Sequence, residues 1–254
     1  MLDRYPLIKR LHQETLRPMD IPWDEKDWPD SWKYVEFKEY PRLPQVVLPE
    51  PERLHARTEA VLQGRMSRRN FDPAATLSLK KLSTLLHWSA GISRNREKPE
   101  QSFRFYPSGG ARYPLELYLA LRGNVEVETG VYHYNVKKHA LERLLGEEGE
   151  QALRGIPNYP FIKDAAVVVY VGAIFERNMR KYRERGYRFV VMEAGILLHN
   201  FFMVSGAMGL GMCPSGAIVE ERVEEILDVR EGECLLSHFA VGPTRAAAEQ
   251  AAAL

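Results

Sequence analysis

Cysteine is scarce in this sequence, since only Cys213 and Cys234 occur among 254 residues. Two cysteines build no disulfide framework, so a reduced, cytoplasmic protein is the simplest interpretation. The charges nearly cancel, with 35 Lys and Arg against 34 Asp and Glu. This balance excludes a general nucleic-acid binder, which needs a basic face. The first ten residues also show no apolar core of the kind found in signal peptides.

Several common enzyme motifs are absent as well. The sequence contains no G-x-G-x-x-G, no G-x-S-x-G and no H-E-x-x-H. Gly211 and Gly216 have the spacing of a P-loop, but the Lys and Ser/Thr that must follow are missing. His133 and His139 stand alone as surface-type histidines, so we expect no zinc site.

The first 51 residues differ from the rest, because they hold half of the 16 prolines and three of the four tryptophans. Proline at this density prevents long helices and central strands, while aromatic residues are rare in disordered linkers. We therefore expect residues 1–51 to be an extended arm that lies across the body or across a partner subunit; a mobile tail is the alternative. Residues 52–245 form the main domain, and 246–254 are a peripheral, alanine-rich, helix-prone tail.

Hydrophobic periodicity predicts the main elements of this domain. The predicted helices are 52–63, 78–90, 189–209 and 220–229, and the predicted strands are 115–121, 131–136, 165–173 and 235–241. Helix 189–209 is long enough to span a membrane. Glu193, His199 and Asn200 would be costly there, so we expect this helix at the centre of a core or a dimer and predict no membrane span.

Three segments have compositions suited to ligand binding. Arg65, Ser67 and Arg69 alternate in sequence, so an extended backbone would place two guanidinium groups and a hydroxyl on one side, as a phosphate cradle. A solvated basic patch is the alternative. The small residues of 106–114 and 209–217 allow close backbone approach to a planar ligand. Taken alone, an ordinary turn explains the first of these two segments, and a helix stop explains the second.

Together the three segments resemble the nitroreductase superfamily, and within it the SagB/McbC-type dehydrogenases. Residues 107–116, with the sequence PSGGARYPLE, are similar to the glycine-containing segment of that branch. The motif Arg65-x-Ser67-x-Arg69 resembles the family's FMN-phosphate motif. Glu193-Ala194-Gly195 and the following Pro214-Ser215-Gly216 resemble its central helix and flavin loop.

The resemblance implies an α+β fold, with a central, mostly antiparallel sheet flanked by helices, and an obligate homodimer with FMN at its interface. It implies that Arg65, Ser67 and Arg69 hold FMN from one subunit, while Pro107, Ser108 and Gly109 reach it from the other. The remaining cofactor-binding residues that it implies are Gly110, Arg112, Pro214, Ser215 and Gly216, with Arg245 as a further phosphate candidate. Residues 93–105 would be a loop near the flavin that selects the substrate.

Lys181-Tyr182 resembles the catalytic pair of the azoline dehydrogenases in this branch. Oxidation of a thiazoline or oxazoline sends a hydride to flavin N5 and leaves a proton for a base. A tyrosine acts as a base near neutral pH only with a cation beside it, and the Lys181 ammonium would be that cation. Without the resemblance, both residues would be interpreted as the surface of a charged helix.

Three functions remain open from the sequence. The first is an FMN-dependent dehydrogenase that oxidises an azoline in a peptide or a related small heterocycle, with peptide-modifying enzymes as possible partners. The second is an NAD(P)H-dependent nitro or quinone reductase on the same fold. The third is a non-catalytic, flavin-binding subunit of a modifying complex.

Overall fold

The computed structural model describes residues 2–16, 21, 24–94, 102–156, 159–216, 218–229 and 232–245. The predicted tail 246–254 and the centre of the predicted loop 93–105 lie outside these residues.

In the described part of the chain, a seven-stranded antiparallel sheet forms the centre of the molecule. The strands are β1 (Gln45–Val47), β2 (Ile92–Arg94), β3 (Phe103–Arg104), β4 (Leu115–Leu121), β5 (Gly130–Asn135), β6 (Ala140–Leu145), β7 (Val167–Ala173), β8 (Gly211–Ser215) and β9 (Cys234–Gly242). The order across the sheet is β1-β6-β5-β4-β7-β9-β8, and β2 and β3 form a separate hairpin. This arrangement confirms the predicted α+β fold with an antiparallel sheet.

Helices cover both faces of the sheet. They are α1 (Pro6–Glu14), α2 (Thr58–Gly64), α3 (Leu79–Ala90), α4 (Glu147–Gly155), α5 (Pro160–Asp164), α6 (Glu176–Tyr182), α7 (Arg185–Ala207) and α8 (Glu220–Leu227). Residues of α3 and α7 pack on one face, and residues of α4, α5 and α8 pack on the other. Because both faces of the sheet are buried, the sequences of its central strands are nearly continuous runs of apolar residues.

Helix α7 is long and apolar enough to cross a membrane by length and composition alone. Its buried side chains, among them Val190, Leu197 and Phe201, belong to the main core beside the sheet. It is therefore a core helix, as the sequence predicts.

The secondary structure of two segments differs from the prediction. The predicted helix 52–63 begins only at Thr58, because the backbone of Glu52 is engaged with α3: its N–H donates to Thr84 Oγ1 (3.0 Å) and its carbonyl accepts from Trp88 Nε1 (2.7 Å). The predicted loop 209–217 contains edge strand β8, where Pro214 is tolerated since an edge strand leaves N–H positions unpaired.

The two histidines predicted to lie on the surface do not lie there. His133 is 0% exposed, and its ring nitrogens lie 2.9 Å from Glu142 Oε2 and 3.0 Å from Glu116 Oε2. His139 is half-buried between the Tyr134 and Ser83 hydroxyls, each at 2.8 Å. The alternation along β5 places His133 on a polar row that crosses the whole sheet, which a search of neighbouring residues in the sequence does not detect.

The register of the strands builds this row. Directly opposed residues across the seven strands are Gln45, Glu142, His133, Tyr118, Tyr170, His238 and Ser215. Polar side chains inside a sheet are costly unless they are paired. Glu142 is paired with His133 in this row, and that pairing favours the observed register of β5 and β6.

The N-terminal segment includes a helix, α1, that the sequence did not predict; Pro6 begins it in the first turn, where a proline is tolerated. Thr15 Oγ1 accepts from Arg188 Nε of α7 (2.6 Å), and Lys38 Nζ donates to Glu233 Oε2 (2.6 Å). Strand β1 then adds to β6. The segment is thus attached to the body at three separate points.

Candidate functional site

The arginine segment 65–69 lies between the start of β8 and the chain after β9. The Arg68 N–H donates to the Met212 carbonyl (2.9 Å), and the Arg245 N–H donates to the Asn70 carbonyl (2.9 Å). These bonds fix the segment against β8 and bring Arg245 beside it in space, although 175 positions separate Asn70 from Arg245.

The side chains of this segment remain accessible. Arg65, Ser67 and Arg69 are all exposed, and the Arg65 guanidinium lies 5.3 Å from the centre of the Phe202 ring of α7. Ser67 and Arg69 lie beside the Cys213 thiol, whose pKa is raised by burial against their opposing effect. The Arg245 guanidinium lies 3.8 Å from Asp164 Oδ2. The segment therefore presents an exposed cationic strip at the edge of the sheet.

A small cavity of about 230 Å³ adjoins this strip. Arg65 and Arg68 line it from one side, and Gly206 and Gly209 line it near the end of α7. Guanidinium groups around a small polar cavity suit a phosphate group.

Residues 107–116, here called the glycine segment, include a tight turn between β3 and β4. Gly110 has a φ of 65°, a left-handed conformation in which glycine is favoured. A Cβ at Gly110 would overlap the Tyr182 hydroxyl, and a Cβ at Gly109 would lie 3.2 Å from the Phe189 ring. The two glycines therefore permit α6 and α7 to approach the backbone of the turn.

A buried carboxylate on α7 anchors this turn. Glu193 is 2% exposed, and its Oε1 accepts from the Gly109 N–H (2.8 Å) and from Asn178 Nδ2 (3.2 Å). Burial raises the pKa of Glu193 to about 7, although these hydrogen bonds oppose the shift. Glu193 thus connects the turn to α6, on which Asn178 lies.

The catalytic pair that the sequence predicts lies at the end of α6. Lys181 is 4% exposed, and its Nζ lies 3.1 Å from the centre of the Trp28 ring, 5.6 Å from that of Trp32 and 5.5 Å from that of Tyr182. An ammonium over an aromatic face is stabilised as a cation. The pair is therefore not the surface of a charged helix, because the N-terminal segment covers Lys181.

Arg112 is a second cation that acts on Tyr182, besides Lys181. Burial raises the pKa of the Tyr182 phenol, Arg112 opposes this shift, and Glu193 reinforces it. The Arg112 side chain also donates to the Gly110 carbonyl (3.1 Å) and the Ser31 carbonyl (2.9 Å). The role of Lys181 as the activating cation stays a prediction, with its Nζ 5.5 Å from the centre of the Tyr182 ring.

The base of α6 is fixed by a buried ion pair. Arg177 Nη1 donates to Glu116 Oε1 (2.6 Å) and to the Tyr113 carbonyl (3.0 Å). The charges of Arg177 and His133 hold the pKa of Glu116 at about 2 despite its burial. Sequence reasoning did not assign a role to Arg177 or Glu193. In the sequence, a charged residue within an otherwise apolar strand, such as Glu116 in β4, indicates a buried ion pair of this kind.

These elements surround a cavity of about 750 Å³. Trp28 and Trp32 of the N-terminal segment line one side, and Pro107, Ser108 and Arg112 line the other. The third predicted segment, Pro214-Ser215-Gly216, lies at the end of β8, where Ser215 Oγ is buried without a hydrogen-bond partner among the described residues. The structure thus joins the glycine segment to the predicted pair within one chain, while the arginine strip lies by β8.

Comparison with known proteins agrees with this architecture. The family model described as "Nitroreductase family" matches residues 62–243. The chain belongs to the nitroreductase family. It is an oxidoreductase on this ground, and the predicted resemblance to the superfamily is confirmed.

Two curated relatives narrow the position within the family. The chain is 35% identical over 193 residues to "Putative nitroreductase MJ1384" of Methanocaldococcus jannaschii, a match that covers 76% of this chain and 93% of the relative. It is 39% identical over 148 residues to the microcin B17-processing protein McbC of Escherichia coli, covering 56% of this chain and 53% of McbC. The match to McbC thus spans about half of each protein.

A solved structure has the same fold over nearly the whole chain. The E. coli microcin synthetase McbBCD complex with truncated pro-MccB17 contains a chain that matches with a TM-score of 0.61 at 22% identity, covering 95% of this chain and 93% of that one. The match includes the N-terminal segment, which the family model leaves out. Together with McbC, it supports the predicted SagB/McbC-type resemblance within this nitroreductase.

Proposed function

We propose that this nitroreductase binds FMN and dehydrogenates an azoline ring, a thiazoline or oxazoline, in a peptide or a related small heterocycle. The observation that carries the proposal is the contact of the Tyr182 hydroxyl with Gly110, beside Arg112 and a large cavity. A proton-transfer group is thereby held against the turn that the family resemblance associates with the flavin. The similarity to McbC, named for processing microcin B17, supports a peptide substrate.

The residues present fit FMN. Arg65, Ser67 and Arg69 would hold its phosphate, because guanidinium groups bind phosphate oxygens bidentately, and Arg245 lies near enough to assist. Pro107, Ser108, Gly109 and Gly110 would contact its ring system, and Pro107, Ser108 and Gly110 line the large cavity. Pro214, Ser215 and Gly216 would lie along the ring system, and the Ser215 hydroxyl has no other hydrogen-bond partner among the described residues.

FMN supplies the hydride acceptor when it is bound, and the chain supplies the rest. Dehydrogenation removes a hydride and a proton from adjacent ring carbons. Tyr182 receives the proton as phenolate, and Arg112 stabilises that phenolate against the burial that disfavours it. The Lys181 ammonium lies over the Trp28 ring and keeps a positive charge beside Tyr182.

We propose further that two copies form the complete site as a homodimer in the cytoplasm. Helix α7 exposes a row of apolar side chains at helical spacing, namely Tyr187, Val191, Met192 and Ile196. A contiguous exposed apolar row marks an interaction surface. The family resemblance implies that such pairing brings the arginine strip of one subunit toward residues 107–110 of the other. Peptide-modifying enzymes would be further partners.

An NAD(P)H-dependent nitro or quinone reductase is the second candidate. The relative named as a nitroreductase covers more of the chain than McbC does. NAD(P)H oxidation with a nitroaromatic acceptor, without any reaction on azolines, would favour this candidate.

The test uses purified protein supplied with FMN and a thiazoline-containing peptide. We expect mass spectrometry to show loss of two hydrogens from the peptide. Tyr182→Phe should abolish the reaction, while Tyr5→Phe, a change at an exposed tyrosine of the N-terminal segment, should retain it. Bound FMN with neither an azoline product nor NAD(P)H oxidation would instead indicate a non-catalytic flavin-binding subunit.

A further inference from the structure

Arg104, at the end of β3, is a buried cation. Its side chain is 6% exposed, and its Nη1 donates to Tyr106 Oη and to the Leu115 carbonyl, both at 3.3 Å. One edge of its guanidinium group, formed by the buried Nε and Nη2, has no hydrogen-bond partner among the described residues, and we call it the open edge. The guanidinium also lies 5.1 Å from the centre of the Tyr113 ring, which limits its movement.

The open edge has a specific chemistry. Nε and Nη2 carry parallel N–H donors, and this pair matches the two oxygens of a carboxylate. Leaving such donors buried and unpaired is costly, so an occupant with two acceptor oxygens is favoured.

The cavity around Arg104 is suited to an anion on a flat ring. Arg104 lines the 750 Å³ cavity together with Trp28, Trp32 and Phe103, and its described lining includes no Asp or Glu. Two other cations of the lining are engaged elsewhere: Lys33 lies 3.3 Å from Asp30, and Arg112 donates to Gly110 and Ser31. Arg104 is therefore a buried cation of the lining whose Nε and Nη2 have no hydrogen-bond partner among the described residues.

We propose that Arg104 binds a carboxylate carried by the substrate ring. The substrate is then an azoline with an adjacent free carboxylate, either a free heterocyclic acid or the C-terminal ring of a peptide. The identity of the ring rests on the proposed function, whereas the anion site rests on Arg104 alone. A ring in the middle of a peptide, flanked by amides, would not fill this site.

The test is calorimetric binding to purified, FMN-supplied protein. The probes are thiazole-4-carboxylate and its neutral isostere thiazole-4-carboxamide. We expect the carboxylate to bind at least about tenfold more tightly, since a bidentate charged hydrogen bond is lost in the amide. This comparison needs no variant, so it holds even where a substitution at a buried site impairs folding.

Variants then assign the effect to the open edge. Arg104→Lys keeps the charge but loses the paired donors, and Arg104→Gln loses both; each should weaken the carboxylate by about tenfold or more and leave the carboxamide unchanged. Arg94→Gln is the matched control, because Arg94 lines the same cavity but is exposed. It should change carboxylate binding less than about threefold.

Equal affinity for the two probes, no binding of either, or carboxylate binding that survives in Arg104→Gln would overturn the proposal. Loss of FMN from the Arg104→Gln protein would also overturn the proposal, because it would show that Arg104 binds the flavin rather than the substrate. Glu193 Oε2 is also buried without a hydrogen-bond partner among the described residues, so a water that bridges it to Arg104 would give equal affinity for the two probes.

A peptide ending in a thiazole carboxylate distinguishes the two sources. Tighter binding of this peptide than of the free acid indicates a C-terminal ring, and weaker binding indicates a small molecule. Failure of the proposed function would look different: the carboxylate would bind through Arg104, yet no azoline would be oxidised.

Discussion

The hydroxyl of Tyr182 lies directly against Gly110, a residue that the turn holds at a φ of 65°. A methyl group at this position would overlap the phenol oxygen and would also strain the backbone. We therefore expect Gly110→Ala to displace Tyr182 and to reduce azoline oxidation by more than about tenfold. The measurement is the single-turnover rate of the FMN-loaded protein.

Gly155→Ala provides the control for this prediction. Gly155 ends α4 with no atom within 4 Å of an added Cβ, so alanine there should leave the rate unchanged. A Gly110→Ala protein that retains the parental rate would show that the contact has no part in the reaction.

Arg112 should control the pH at which Tyr182 acts. Arg112 lowers the pKa of the phenol, so Arg112→Gln should raise this pKa and leave less phenolate near neutral pH. The rising limb of the pH–rate profile should move to higher pH, with the rate recovering in alkali. A uniform loss of rate at all pH values would assign Arg112 a structural role only.

Glu193 should make the protein less stable as the pH rises. Its pKa is about 7 in the folded chain against an ordinary value of 4.5, so the folded state binds the extra proton between these values. The free energy of unfolding should therefore fall from pH 4.5 to pH 7, by an amount on the order of 3 kcal/mol. Urea unfolding of Glu193→Gln should lack this decline, and Glu221→Gln, an exposed surface change, should retain it.

His133 should also make the protein less stable as the pH rises, in the same direction as Glu193. Its two carboxylate partners raise its pKa despite burial, so its stabilisation is complete below the unfolded pKa of about 6.5 and is lost as the pH rises through the folded value. His133→Gln should cost about 3 kcal/mol at pH 6 and less at pH 9, because it leaves buried charge uncompensated. The exposed His55→Gln should show no such difference; equal costs for His133→Gln at both pH values would contradict this interpretation.

Much of the fold could be predicted from periodicity. Strand 115–121 and the helix after Ser78 match the structure, because Ser78 accepts from the Lys81 N–H as an N-cap and the strand faces two cores. The short elements α5, of five residues, and β1, of three, were not predicted, because so few residues show no hydrophobic periodicity. Helix 52–63 failed at its start because contacts with α3 outweigh local propensity.

The site was predictable only in part. Arg65, Pro107 and Lys181 were found through family motifs, and their assignments as cofactor-binding or catalytic residues remain predictions. Burial, which decides the states of Glu193 and His133, depends on strands and helices distant in sequence. The position of Trp28 over Lys181 joins residues 153 positions apart, and no local pattern reports such a contact.

The central claim is that a ring substrate, rather than a nicotinamide, reduces the flavin. The direct measurement is anaerobic mixing of FMN-loaded protein with a thiazoline carboxylate, followed as loss of flavin absorbance near ~450 nm. We predict rapid bleaching by the thiazoline in the wild-type chain, none in Tyr182→Phe, and formation of the thiazole in equal amount. Bleaching by NADPH with none by the thiazoline would contradict the claim.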